Sequence, residues 1–412
     1  MINILFTVSN GIPDKNSGGP NRIIYNLIEY LDKQIFKIGF LSYNSYIPSI
    51  TEERYNSDFR NEIKSFSFIT DKLYNRSTLY KKFSTSSFYF PLHLKKRDKY
   101  FSKILKSGKW DIVHSHDALS MFYVSKYFSG RKIFTIHSKG TFLNDFEYTL
   151  NDVKLPNSIK NFMKDMENTA IENSDIITFP GYFARDFFLK ELNTEFKNIE
   201  KIRIVNNGIE FRKTRNITNK GKIFKKYGIV NDFPKLLSVA EHIEPKRIDV
   251  ILKSLSYLIH KKNMKFFLIL VGHGPLTMQL VKLAVELEIN DYIKIIPELE
   301  NTEILQLMKC SDIFISAAKN SIYDLTIIEA MLNGMSIIAD NSGGNSEILE
   351  YYTNDFLVKN LNENNLSEKI CEIIISKKKY LNIPFDKFSL DTMIENYQDI
   401  YMSIVNKNTG ED

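Results

Sequence analysis

Apolar positions in this chain follow two alternating rhythms. Short continuous apolar runs read as strands buried on both faces, and segments with an apolar residue every third or fourth position read as amphipathic helices. In the first half, strands are expected at Asn3–Val8, Phe36–Leu41, Asp111–His114, Lys132–His137 and Ile176–Phe179, with helices at Asn21–Leu31 and Ile159–Asn173. The second half repeats the scheme. Strands are expected at Lys235–Val239, Phe266–Val271, Tyr292–Ile296, Ile313–Ser316, Ser336–Ala339 and Phe356–Val358. Helices are expected at Ile248–His260, Leu276–Leu287 and Leu366–Ser376, with a last one from about Leu390 to Val405. This rhythm predicts parallel sheets with crossover helices. The polar stretch 190–203 reads as a connection between two such units.

Length supports that division, because 412 residues exceed what one ordinary core accommodates. With 43% hydrophobic residues and only 17 Gly and 11 Pro, the chain reads as globular. Cys310 and Cys371 lie in apolar helical patterns and read as buried free thiols, which suits a reducing cytoplasm. The first residues, Met1 to Phe6, form a strand pattern without the basic start of a signal peptide. No apolar run approaches the roughly 18 residues of a membrane span. A cytoplasmic protein, soluble or peripheral on the inner face of the membrane, is therefore expected.

The net charge of +6 is uneven. Between Lys72 and Lys103 there are nine Lys or Arg against one acid, Asp98, with eight aromatics interleaved. One reading is an ordinary solvated surface. The other is a patch for anionic lipid headgroups, where cations attract and aromatics insert. Nothing resembles a nucleic-acid-binding motif, so a nucleic-acid partner is not expected.

Candidate chemistry gathers after the strands. Glu329 is a lone carboxylate in the apolar helical pattern Leu325–Leu332, and burying it requires a partner such as a pair of ligand hydroxyls. Gly18 and Gly19 stand between the first strand and first helix, where backbone N–H groups can approach a phosphate, although a plain tight turn looks the same. His114, His116 and His137 end two successive strands; His114 reads foremost as structural, and no carboxylate or thiol cluster argues for a metal. Lys246 follows the strand Lys235–Val239 and can neutralise a diphosphate as a point charge. Gly272-His273-Gly274-Pro275 makes a turn after the next strand.

In order and spacing these pieces resemble glycosyltransferase family 4, the retaining enzymes of GT-B fold. The resemblance covers nearly the whole chain and is strongest from Lys235 to Glu347. There a Lys-bearing loop and the G-x-G-P turn precede Ser321-Ile322-Tyr323-Asp324-Leu325-Thr326-Ile327-Ile328-Glu329-Ala330-Met331 and Gly334, which is similar to the family's E-G-F-G-L-x-x-x-E-A-M-x-x-G. Asn207-Gly208 is similar to the family's junction turn, and Phe388-Ser389 to the start of its final helix.

The resemblance implies an α/β GT-B fold: two Rossmann-like domains with parallel sheets facing a central cleft. An acceptor-binding domain would occupy residues 1–190 and a nucleotide-sugar domain 191–385, with the helix of 386–412 crossing back to the first. The implied reaction moves a sugar from a nucleotide diphosphate sugar to a saccharide or lipid-linked saccharide, with retention and without metal or other cofactor. The setting by family association is bacterial surface polysaccharide or glycoconjugate synthesis. The roles carried over are ribose binding by Glu329 and diphosphate binding by Lys246. Gly18, Gly19, Arg247, Gly272, Pro297, Leu325 and Thr326 would complete the donor site. His137 would sit by the sugar, with His116 on the acceptor side, and Gly343-Gly344 would frame the cleft through the helix reaching Glu347.

Three departures stand out. The family's first glutamate is Ser321, its following glycines are Ile322 and Asp324, and its arginine five positions before Lys246 is Glu241. Either the donor pocket is re-tuned, with Ser321 taking the sugar contact and Arg247 or Arg22 restoring charge, or the chain is a non-catalytic GT-B homologue that partners another glycosyltransferase. A shifted register within 316–324 is the third account.

Overall fold

The computed structural model describes residues 1–9, 11, 13–14, 19–43, 45–50, 89–150, 154–192, 199–210, 220–229, 232–350, 357–376 and 385–406. Two compact units emerge: Met1–Asn206 together with Met393–Asp412, and Asn207–Thr392.

The first unit begins with β1 (Ile2–Thr7), α1 (Gly19–Tyr30), β2 (Phe36–Ser42) and β3 (Ser45–Ile47). Next come α2 (Tyr89–Ser107), β4 (Ile112–Ser115), α3 (Ala118–Tyr127) and β5 (Arg131–Thr135). α4 (Phe142–Leu150), α5 (Asn157–Glu172), β6 (Ile176–Phe179), α6 (Tyr182–Leu192) and β7 (Ile202–Ile204) complete it. The sheet order is β3-β2-β1-β4-β5-β6-β7. All pairings are parallel except β2 with β3. Ile4, Leu5 and Phe6 have no exposure, as expected of a strand covered on both faces.

The first unit extends to Asn206 rather than ending at 190, because Ile202–Ile204 joins the sheet edge beside β6. A three-residue strand interrupted by Arg203 is too short for its pattern to be detected. Of the basic segment 72–103, residues 72–88 lie outside the described residues, and the rest lies on α2.

The second unit contains α7 (Lys220–Lys226), β8 (Lys235–Val239), α8 (Ile248–His260), β9 (Phe267–Val271), α9 (Thr277–Glu286) and β10 (Ile293–Ile296). It continues with α10 (Asn301–Cys310), β11 (Ile313–Ser316), α11 (Leu325–Leu332), β12 (Ser336–Asp340), α12 (Gly344–Leu349), β13 (Leu357–Val358) and α13 (Glu363–Ser376). Its order, β10-β9-β8-β11-β12-β13, is parallel throughout. α8 shows why these helices lie on the sheet: Ile248, Ile251, Leu252, Leu255 and Leu258 form one buried stripe.

The last helix, α14 (Leu390–Asn406), starts in the second unit and belongs to the first from Met393 onward. Ser389 caps it, accepting from the Thr392 N–H at 3.0 Å. Just before it, the chain pairs with the Asn207-Gly208 turn: the Ile209 N–H donates to the Phe388 carbonyl and the Leu390 N–H to the Ile209 carbonyl, both at 3.0 Å. A Cβ at Gly208 would meet the Ser389 carbonyl oxygen at 2.2 Å, so only glycine permits this approach. Cys310 is buried and Cys371 half-buried, and neither forms a disulfide among the described residues.

Candidate functional site

In open parallel sheets, ligands bind beyond the carboxyl ends of the strands where the strand order reverses direction. In the second unit that point lies between β8 and β11. Lys246 is in the loop after β8, and Ser321 and Asp324 are in the loop after β11. The two loops are joined by a hydrogen bond from the Lys319 N–H to the Pro245 carbonyl at 3.3 Å.

Lys246 closes a short 3-10 turn, Glu244–Lys246. Its ammonium forms no hydrogen bond or ion pair among the described residues. Arg247 differs. It adopts a left-handed conformation ahead of α8, and its guanidinium reaches the Asp340 carboxylate at 3.3 Å and the Leu361 carbonyl at 2.6 Å. Asp340 is 3% exposed. Arg247 therefore neutralises a buried acid, and the charge expected of it near a diphosphate is already committed.

The loop after β11 is held by the glycine turn. Ser321 bridges Gly343, and the Gly344 N–H donates to the Ser321 carbonyl at 2.6 Å. A Cβ on Gly344 would lie 1.9 Å from the Ile322 carbonyl oxygen. These glycines thus let the β12–α12 turn press against residues 320–322. The Ser321 hydroxyl makes no hydrogen bond to another described residue.

Asp324 is the N-cap of α11. It accepts from the Thr326 N–H at 3.1 Å, the Thr326 hydroxyl at 2.6 Å and the Ser316 hydroxyl at 3.3 Å. Its charge is turned onto its own helix, where the dipole favours it. Leu325 and Thr326 form the half-buried first turn of α11.

Glu329 sits mid-helix on α11, 3% exposed. Asn301, the first residue of α10, donates to it from Nδ2 at 3.1 Å. The buried carboxylate thus has a protein partner, which the sequence reading missed; an Asn at a helix start offers no signal beyond ordinary capping preference.

The other expected donor-side loops form a row. Gly272 (φ +135) follows β9, and a Cβ there would meet the Ala240 carbonyl oxygen at 2.0 Å. His273 Nδ1 lies 3.0 Å from the carbonyl oxygen of Pro297, which is exposed after β10. His242 Nδ1 pairs with the Thr277 hydroxyl at 2.9 Å.

In the first unit, the order reverses between β1 and β4. Gly18 lies outside the described residues. Gly19 opens α1 at φ +58 with nothing within 4 Å of a built Cβ, so the conformation, not crowding, favours glycine there. Asp117, just after β4, caps α3 and accepts from the Ser9 N–H at 2.5 Å, tying the β1 and β4 loops together.

Three imidazoles cluster at this edge. His114 is fully buried between the Tyr401 hydroxyl at 2.8 Å and the Thr135 hydroxyl at 2.6 Å, a structural placement. His116 Nδ1 meets His137 Nε2 at 3.0 Å, with the rings stacked 5.3 Å apart. His116 Nε2 is buried and has no hydrogen-bond partner among the described residues. Burial pushes the His137 imidazolium down to about 4, and burial together with the neighbouring rings holds His114 and His116 well below the usual range. At neutral pH all three are uncharged and can donate or accept at fixed atoms. Among the described residues, no group of three His, Cys, Asp or Glu is arranged to hold a metal ion.

Arg97 on α2 was not anticipated. Its guanidinium donates to the Ser9 carbonyl at 3.3 Å and lies 4.8 Å from the centre of the Tyr43 ring. Its position in a run of surface lysines hides it from sequence reasoning.

Comparisons with known proteins agree with this architecture. Residues 17–213 match the model described as Glycosyltransferase Family 4, and residues 219–383 the model described as Glycosyl transferases group 1. The chain is 21% identical to N-acetyl-alpha-D-glucosaminyl L-malate synthase of Bacillus anthracis over 318 residues, covering 74% of this chain and 77% of that one. It is 25% identical to alpha-monoglucosyldiacylglycerol synthase of Streptococcus pneumoniae, covering 72% and 70%. Among solved structures, a glycosyltransferase from Rickettsia africae aligns with a TM-score of 0.65 at 21% identity over 98% of both chains. Anabaena HepE in complex with UDP aligns with a TM-score of 0.66 at 14% identity, over 98% of this chain and 100% of the other. Two parallel α/β units and these neighbours make the fold GT-B, and the chain belongs to the glycosyltransferases, with a family 4 first half and a group 1 second half.

Proposed function

We propose that this glycosyltransferase moves a sugar from a nucleoside diphosphate sugar to a saccharide or lipid-linked saccharide, with retention of configuration and without a metal. The observation that carries the reading is Lys246: an ammonium uncommitted among the described residues, at the point where strand order reverses, on a loop hydrogen-bonded to the one that leads into the helix of the buried Glu329. In this reading Glu329 accepts the ribose hydroxyls, and Lys246 with nearby backbone N–H groups meets the charge that develops on the departing diphosphate. Such groups accelerate the reaction because they bind that charge more strongly in the transition state than in the ground state. The Ser321 hydroxyl replaces a family carboxylate at the sugar. Neutral His137 and His116 orient hydroxyls on the acceptor side, and the leaving phosphate takes the acceptor proton, so no strong side-chain base is required.

UDP in the HepE complex and the diacylglycerol product named for the pneumococcal relative support a nucleotide donor and a lipid-side acceptor. Work at the inner face of the cell membrane, in surface polysaccharide or glycoconjugate synthesis, completes the proposal. No described helix is long and apolar enough to cross a membrane.

The test is to incubate the protein with UDP-, GDP-, ADP- and CDP-sugars in EDTA and follow sugar release or transfer by NMR. An α-configured product from an α-configured donor, with Lys246→Ala lowering kcat/KM by roughly 100-fold or more, is expected. An inverted product, or activity that EDTA abolishes, contradicts the mechanism. The second reading, a non-catalytic partner subunit, is favoured by Glu241 and Ser321; it expects no turnover with any donor and a stable complex with another transferase.

A further inference from the structure

The first unit holds a cavity of about 440 Å³ walled by α2, α3 and α5. That size lies within the roughly 300–1,000 Å³ typical of small-ligand sites. Its apolar wall is built from Phe90 and Leu94 of α2, Phe122 of α3, and Ile159 and Phe162 of α5. Phe90 and Leu94 share one face of their helix, four residues apart. Phe162 packs edge-on against both Phe90 and Phe122, with centroids 6.3 and 5.9 Å away. All three rings are only half-buried.

Charged groups border this wall on one side. Asp98, the only acid on α2, is occupied by the Lys126 ammonium and the Tyr127 hydroxyl, both at 2.6 Å. Lys95 lines the cavity and Lys99 follows it one turn along the same helix; both are exposed and form no hydrogen bond or ion pair among the described residues. The Tyr123 hydroxyl, the polar atom of a lining aromatic, is spent on the Leu94 carbonyl at 3.2 Å. A sugar or a nucleobase would find few partners here, whereas a hydrocarbon chain needs none. The lysines suit a negatively charged headgroup beside it.

We propose that this cavity seats the hydrocarbon chain of a phosphate-bearing lipid, with Lys95 and Lys99 beside its phosphate. The site deepens the proposed acceptor side and rests on that reading for its purpose, but its occupancy does not depend on nucleotide.

The test is calorimetry with octyl, decyl and dodecyl phosphate below their micelle concentrations, without nucleotide. Affinity is expected to rise about fourfold per added methylene while the chain still fits. Inorganic phosphate is expected not to bind. Leu94→Trp, which fills the cavity, should weaken dodecyl phosphate at least tenfold while UDP titrates as in the unaltered protein. Ser158→Trp fills it from α5 and serves if Leu94→Trp fails to fold. The double change Lys95→Glu with Lys99→Glu should weaken dodecyl phosphate but not dodecanol. Affinity independent of chain length, or undiminished in both filled variants, overturns the proposal. So does binding to phosphatidylglycerol vesicles without any alkyl phosphate binding, which indicates surface attraction only. A change of mass in light scattering on filling the cavity, with amphiphile binding intact, overturns it in favour of a second copy of the chain. Absence of nucleotide binding with alkyl phosphate binding retained would instead fault the donor reading and leave this site standing.

Discussion

The Glu329 carboxylate is nearly inaccessible and accepts a hydrogen bond from Asn301. A ribose would add two donated hydroxyl protons, and hydrogen bonds to a charged group are the strong ones. Glu329→Gln keeps a carbonyl oxygen for Asn301 but removes the charge. It should weaken nucleoside diphosphate binding by about 1.5–3 kcal/mol, roughly 10- to 150-fold, with little loss of Tm. A second buried acid predicts a pH effect. Glu167 on α5 accepts from the Phe142 N–H at 2.8 Å, at the start of α4. Burial, together with the nearby Asp145, pushes it up to about 7. The folded state therefore holds a proton between about 4.5 and 7 that the unfolded chain has released, so Glu167 costs stability as pH rises through that window. The depressed histidines act oppositely: their contribution is present above about 6.5 and lost as pH falls toward 4. Urea unfolding of Glu167→Gln across pH 4.5–7 should therefore show stability climbing more steeply with pH than in the unaltered protein, by up to about 3 kcal/mol. Parallel curves would contradict the buried-acid account.

At the scale of elements, the loops carry the site and the glycines fix how closely those loops approach. Gly344→Ala places a methyl group against the Ile322 carbonyl, so the loop bearing Ser321 must move. Donor binding should fall along with Tm. Gly208→Ala, which strikes the Ser389 carbonyl, should lower Tm by several degrees without abolishing donor binding, since that turn bears no proposed donor contact. Paired thermal-shift and titration measurements separate the two outcomes. Most strands and helices were legible because a sheet buried on both faces leaves continuous apolar runs, as at Phe267–Val271 and Ile313–Ser316. β3 and β7 were not, being edge strands of only three residues, too short to show a strand pattern. Lys246 was legible from its place after a strand, and Glu329 as a lone carboxylate in an apolar helix. Asn301, the commitment of Arg247 to Asp340 and the capping role of Asp324 were not, because each depends on contacts between segments distant in sequence or on where a side chain turns.

For the molecule as a whole, the C-terminal helix matters beyond its own length. Tyr397 and Tyr401 of α14 are buried in the first unit beside His114 and Thr135, and the Tyr401 hydroxyl is one of the two partners of His114. Tyr401→Phe leaves a buried ring nitrogen unpaired and should cost about 1–3 kcal/mol of stability, readable as a lower urea midpoint. Nucleotide should leave that loss unchanged, because Glu329 and Lys246, its proposed anchors, lie in the second unit. The most direct test of the central claim is calorimetric titration of UDP, GDP, ADP and CDP into the unaltered protein and into Lys246→Ala and Glu329→Gln. The account predicts saturable binding of at least one of these, weakened tenfold or more in each variant. No heat with any of them, or equal affinity in both variants, would contradict it.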